Sequence, residues 1–173
     1  MSITIRRLHA LSPDHIAQLG AVLFDCVEGG ASVNFVWPFS AGEARTFWER
    51  VAPEVEAGAR VLLVAEDAGR IVGTVNLALC WQPNQPHRAD VTKLLVARRA
   101  RRRGVGAQLM SALETSAREA GRSLLTLDTE AGAAGERLYE RLGWVRMGVI
   151  PNYALGTYGG LCDATFFYKS LSS

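Results

Sequence analysis

The stretch Val91–Ala117 restricts this chain more than any other. An apolar run, Val91 to Val96, passes through a turn rich in arginine and glycine into a segment carrying Val105, Leu109, Leu113 and Ala117 at intervals of four. That interval places the four side chains on one face of a helix. A strand that feeds a helix so directly needs a second, parallel strand for the helix to return to. The domain must therefore contain a sheet with at least one right-handed βα crossover.

The rest of the chain adds hairpins around this unit. Ile3, Ile5 and Leu8 predict a first strand. Ser12-Pro13-Asp14 supplies an N-cap, a first-turn proline and an acid for a helix carrying Ile16, Leu19, Leu23 and Cys26 and ending at Gly29-Gly30. Ala31 to Ser40 reads as a loop, and a second helix is expected over Ala41–Ala57, with Ala44, Phe47, Trp48 and Val51 facing inward. Arg60–Glu66 and Arg70–Leu79 are β-rich runs joined by Asp67-Ala68-Gly69, a hairpin signal. After the turn Gln82–His87, strand Arg88–Val96 and helix Gly104–Ala120 follow. Then come a short strand at Leu124–Leu127, a helix at Ala133–Leu142 closed by Gly143, and strands at Trp144–Val149 and Ala164–Lys169. A Gly/Tyr-rich loop, Pro151–Gly160, joins the last two. This order predicts a single α/β (α+β) domain over residues 1–173, with a mixed, mostly antiparallel sheet of about six or seven strands and helices on both faces.

Composition narrows the function classes. A net charge of +2 is too small to argue for nucleic acid by itself. Cys26, Cys80 and Cys162 are odd in number and lack metal-type spacing, and His9, His15 and His87 are scattered, so no metal site is expected. Unpaired thiols suit a reducing compartment. Met1–Arg7 alternates polar and apolar residues without the apolar core of a signal peptide, and no apolar run reaches membrane-spanning length. The expectation is a cytoplasmic protein with no membrane partner.

The charge that matters is local. Arg98, Arg99, Arg101, Arg102 and Arg103 crowd the end of a buried strand, just before Gly104-Val105-Gly106. A helix begins there, so its first N–H groups have no intrahelical partner and carry partial positive charge. The alternate glycines let those groups converge on one anion, which a phosphate satisfies. Two other readings are open: a solvated basic face, or a patch that tracks nucleic-acid phosphates. The cluster's compactness and its glycine turn favour a phosphate-bearing cofactor over nucleic acid. Neither a dinucleotide fingerprint nor a P-loop is present.

The run Val91-Thr92-Lys93-Leu94-Leu95-Val96 followed by Arg101-Arg102-Arg103-Gly104-Val105-Gly106-Ala107 resembles the acetyl-CoA signature of the GNAT superfamily of N-acetyltransferases. Arg137-Leu138-Tyr139-Glu140-Arg141-Leu142-Gly143-Trp144 resembles that family's characteristic helix end, and the element order matches over almost the whole chain. Glu28–Val33, Asn84 with Arg88–Val91, and Leu127–Gly132 resemble a toxin-resistance branch that acetylates a β-lactam amino acid. Many members carry Asn seven residues before the helix tyrosine, where this chain has Gly132.

The resemblance implies transfer of an acetyl group from acetyl-CoA to the amine of a small-molecule acceptor. Leu94, Leu95 and Val96 would hold the pantetheine arm from a bulged strand. Arg101, Arg102, Arg103, Gly104, Val105, Gly106 and Ala107 would hold the phosphates. An amine with a pKa of about 10.4 must lose a proton before it attacks. Asp90 and Asp128, expected at strand ends beside the cleft, are the candidates to bind the ammonium and relay its proton. For each, a turn cap or a salt bridge to a nearby arginine stays open. Tyr139 is the candidate acid for the departing thiolate, with simple packing as the alternative. The loop from Gly30 to Phe39 and that of Tyr153 and Tyr158 are expected to line the acceptor side. A peptide N-acetyltransferase and a non-catalytic CoA-binding sensor remain open, as does a homodimer.

Overall fold

The computed structural model describes residues 3–171. Met1 and Ser2, which begin the N-terminal stretch read above, lie outside them. In chain order the elements are β1 (Thr4–Leu8), α1 (Pro13–Glu28), α2 (Ala41–Glu56), β2 (Arg60–Asp67), β3 (Arg70–Leu79), β4 (Arg88–Val96), a 3-10 turn (Arg98–Ala100), α3 (Val105–Glu119), β5 (Leu124–Glu130), α4 (Ala134–Arg141), β6 (Val145–Leu155) and β7 (Leu161–Ser170). The strands form one seven-stranded sheet in the order β1-β2-β3-β4-β5-β7-β6. Every pairing is antiparallel except β4 with β5, the parallel pair that the strand–turn–helix unit requires.

Helices cover both faces, so the central strands are buried on alternate sides. In β2, Val61, Leu63 and Ala65 join the core beneath α3, with Leu109, Leu113, Leu125 and Phe167. Leu62 and Val64 instead join Leu19, Leu23 and Trp48 beneath α1 and α2. Both α1 and α2 open with a complete capping box, Ser12 with His15 and Ser40 with Glu43. Each serine satisfies an N–H group that the helix cannot.

One expectation needs correction. Pro151–Gly160 is not a loop: β6 continues through Leu155, β7 starts at Leu161, and only Gly156–Gly160 turns. Proline normally argues against a strand because it lacks the N–H for a ladder. Here β6 is the outermost strand, where one side has no ladder to complete. The irregularity is absorbed by a register shift between Ile150 and Ala154 and by Asn152, at φ 53°, whose N–H donates to Asp163 Oδ1 at 2.8 Å. Strand β5 likewise extends to Glu130, beyond the expected end at Leu127.

Candidate active site

The sheet opens at its centre. β4 pairs with β5 only at Arg88–Asp90 against Leu124–Thr126, although β4 runs on to Val96 and β5 to Glu130. On the other side of β4, Asn76 faces Thr92 while Thr74 faces Leu95, so β4 spends one residue more than β3 over this interval. That extra residue is a bulge, marked by Lys93 at φ 53°. A bulge bends and twists its strand, and here the two parallel strands part. Beyond Asp90, the β4 edge that would have carried a ladder faces a cleft of about 1040 Å³.

Leu94, Leu95, Val96, Arg101, Arg102, Gly104, Val105, Gly106 and Ala107 all line this cleft, as do Asp128 and Tyr139. The two helices that begin there differ from the others. Neither α3 nor α4 has a side-chain N-cap, and Gly104–Ala107 and Ala133–Gly135 line the cleft wall. Their first-turn N–H groups have no partner within the helix and suit an anion. Gly104, at φ 76°, holds the left-handed conformation that starts α3. A Cβ at Gly106 would come within 3.2 Å of Leu138 Cδ2, so glycine lets the start of α3 lie against α4.

The arginines divide by role. Arg98 pins the turn to the end of α1: its backbone N–H donates to Asp25 Oδ2 at 2.7 Å, its Nε to Oδ1 at 2.8 Å, and its Nη2 to Glu28. Burial pushes the Asp25 carboxyl up, but these Arg98 donors outweigh it and hold the group below its usual range. Arg101 Nε donates to Val96 O at 3.1 Å. Arg102 is exposed on the cleft rim. Arg103 is placed differently from the expectation: its side chain pairs with Asp67 Oδ2 at 2.7 Å, and it does not line the cleft. The β2–β3 turn holds it outside.

The two aspartates also separate. Asp90 sits where β4 and β5 part and is bound to the Arg88 guanidinium and the Thr126 hydroxyl. This is the salt-bridge alternative, and Asp90 does not line the cleft. Asp128 does line it. Burial raises its carboxyl pKa, the charge of Lys93 pulls it back, and Asp90 adds repulsion. Tyr139 packs its ring against Trp144 and Phe167. Burial first, and then the charge of Asp128, push its phenol up to about 12, so it holds its proton at neutral pH.

Residues that sequence reasoning passed over complete the site. Arg88 and Thr126 hold Asp90. Lys93, quoted above only as part of a motif, is nearly buried, at 9% exposure, and lines the cleft. The available signal was a lysine set among Val91, Leu94, Leu95 and Val96. Of the loops expected on the acceptor side, Gly30–Asn34 line the cleft, whereas Tyr153 and Tyr158 do not, and the segment after α1 and the β6–β7 turn are tied together. Trp37 N–H donates to Thr157 O at 2.7 Å, Thr157 Oγ1 to Ala31 O at 2.9 Å, and Tyr158 OH to Glu28 O. Among the described residues there is no metal-type cluster of His, Cys, Asp and Glu, and no helix is long and apolar enough to cross a membrane.

A mixed sheet splayed at its one parallel pair, with an uncapped helix start beside the opening, suits a ligand with an anionic end and an extended polar arm. Comparison with known proteins makes this specific. The chain belongs to the acetyltransferase (GNAT) family, whose model matches residues 29–144, and it is an acetyl-CoA-dependent acyltransferase. It is 30% identical over 128 residues to an uncharacterized N-acetyltransferase from a hisH–hisA intergenic region of Azospirillum brasilense, covering 73% of this chain and 74% of that one. Its fold is similar to an N-acetyltransferase from Staphylococcus aureus Mu50, with TM-score 0.82 and 17% identity over 99% of this chain and 100% of that one. It is also similar to yncA of Salmonella typhimurium, solved with its cofactor acetyl-CoA, with TM-score 0.77 and 19% identity over 100% and 96% of the two chains.

Proposed function

We propose that this protein transfers the acetyl group of acetyl-CoA to the amine of a small, amino-acid-like molecule. In our reading it works in the cytoplasm and detoxifies, as the resemblance to the tabtoxin resistance protein suggests. The observation that carries the small-molecule reading is the tie between Trp37 and Thr157, reinforced by Thr157 to Ala31 and Tyr158 to Glu28. It joins the two segments that flank the acceptor end, which favours a compact acceptor over an extended peptide. The free thiols of Cys26, Cys80 and Cys162 suit a reducing compartment.

When bound, acetyl-CoA supplies an activated thioester. The N–H groups of Gly104–Ala107, with Arg101 and Arg102, are suited to its phosphates. The open β4 edge beyond Asp90 offers backbone donors and acceptors to the amide groups of its arm, and N–H donors near the bulge can stabilise negative charge that develops on a carbonyl oxygen. Asp128, its affinity for protons raised by burial, takes the first proton of the acceptor ammonium and passes it to solvent. The amine then forms the new C–N bond as the C–S bond breaks. Tyr139 gives its proton to sulfur and regains the second amine proton. The products are an amide, free CoA and one proton. The charge of Asp90 adds a little to the proton affinity of Asp128.

The test is a screen for CoA release across amines that includes β-lactam amino acids, ordinary amino acids and short peptides. Turnover confined to small amino acids supports the proposal. Turnover on peptides alone overturns it in favour of a peptide acetyltransferase. Acetyl-CoA binding without any turnover would mark a sensor.

A further inference from the structure

The chain contains only two lysines among its nineteen Lys and Arg residues, and they are treated differently. Lys169 Nζ is held by Glu114 Oε1 and Leu142 O, each at 2.7 Å. Lys93 has no such partner. Its Nζ sits between the rings of Phe35 and Phe47, 5.6 Å and 5.3 Å from their centroids. Ring faces attract a cation but do not replace three N–H acceptors.

The surroundings sharpen this. Arg60, the positive charge that acts on Lys93, is occupied by Glu54, with Nε to Oε2 at 2.7 Å, and reaches Thr92 Oγ1 at 3.4 Å. Its charge and burial both disfavour the Lys93 ammonium, and only Asp128, which lies outside ion-pair distance, favours it. A buried cation left this way costs stability, so its retention calls for a ligand. Lys93 lines the same cleft as Asp128, so the cleft carries one positive and one negative pole that do not form an ion pair with each other. A zwitterion matches both poles. A simple amine leaves Lys93 unpaired, and a diamine adds repulsion.

We infer that Lys93 binds a carboxylate of the acceptor while Asp128 receives its ammonium, which makes the substrate class amino acids and not plain amines. This rests on the reading of the cleft as the acyl-transfer site. The proposal assigns Lys93 a specificity role, separate from proton transfer.

The experiment compares amino acids with their decarboxylated counterparts, ornithine with putrescine and lysine with cadaverine, in the wild type, Lys93→Met and Lys93→Arg. Wild-type kcat/KM should favour the amino acid of each pair by about tenfold or more, the ratio that one good charged contact supplies. Lys93→Met should bring the ratio of kcat/KM between the two members of each pair close to one, through KM for the amino acid, over and above any change that both members share through Asp128, and Lys93→Arg should partly restore the ratio. Equal losses on both members of a pair would mean that Lys93 acts only through Asp128, and the proposal fails. A second measurement needs no turnover. With isotope-labelled lysine the protein gives two side-chain NMR signals, and ornithine added with CoA should move that of Lys93 where putrescine does not. If no amine is acetylated but the signal moves with ornithine alone, the anchor stands and the acyl-transfer reading falls. If ornithine leaves it in place, the anchor is overturned.

Discussion

Asp128 and Tyr139 line one cleft from successive elements, β5 and α4, and the carboxylate's charge adds to burial in holding the Tyr139 phenol up at about 12. A phenol held this way is a proton donor at neutral pH. Tyr139→Phe keeps the ring against Trp144 and Phe167 and removes only the proton. Turnover should fall by about 10²-fold or more, the usual contribution of a positioned acid, with acetyl-CoA affinity by calorimetry nearly unchanged. Wild-type turnover in this variant would return Tyr139 to a packing role.

The role proposed for Asp128 sets an expectation for the acidic side of the pH profile. Burial raises its folded-state pKa above 3.8, so kcat/KM should climb with pH as the carboxylate forms, at higher pH than an ordinary aspartate. Asp128→Asn should lower turnover strongly and abolish that rising limb, while acetyl-CoA binds as before. A mutant profile with the wild-type limb would assign it to another group.

The start of α3 should tolerate no β-branched side chain. At Gly104, φ 76°, valine would cost about 1–2 kcal/mol of backbone strain and displace the N–H groups facing the cleft. Gly104→Val should lose acetyl-CoA binding by calorimetry while far-UV circular dichroism remains that of a folded protein. Retained binding would remove the phosphate assignment.

Gly73 tests the packing that seats α3. A Cβ there would lie 2.9 Å from Leu95 O, 3.2 Å from Leu109 Cδ1 and 3.3 Å from Val105 Cγ1. The first of these is backbone and cannot swing aside. Gly73→Ala should cost roughly 1–3 kcal/mol of stability by urea denaturation. An unchanged midpoint would show that β3 and β4 can separate cheaply.

Lys93 makes stability depend on pH with a defined sign. Its folded-state pKa is about 8 against 10.5 when unfolded, so the unfolded chain binds more protons between those values. Wild-type stability should therefore rise as pH increases from about 8 towards 10.5. Lys93→Met, which keeps the stem between the phenylalanines, should be more stable than wild type at pH 7 by something on the order of 1–3 kcal/mol. The gap should close in alkali. A mutant less stable at pH 7 would show that the ammonium is not penalised in the fold.

Local pattern carried much of this molecule. The four-residue interval from Val105 to Ala117, the serine cap at Ser12, and the Asp67–Gly69 hairpin are each written in a few adjacent residues, because period and turn chemistry act over short range. The turn at the cleft wall was legible for the same reason: a strand end, arginines and alternate glycines lie next to one another in the chain. β6 was cut short because proline reads as a breaker until its edge position is known, and edge position is a property of the whole sheet. Charge partners are similarly non-local. Nothing near Arg103 in sequence indicates that Asp67 holds it outside the cleft, and although Arg88 is close to Asp90 in the chain, nothing local shows that Thr126 joins it there while Asp128 is left facing inward.

The sequence by itself therefore determined the architecture and the glycine turn that opens α3, since helix period, capping and glycine spacing are decided within one or two turns of chain. Only the tertiary structure decided which side chains meet in the cleft. The parting of β4 from β5 brings Lys93, Asp128 and Tyr139 together from three separate elements. Their protonation follows from burial and mutual charge, which exist only once the sheet has closed around them.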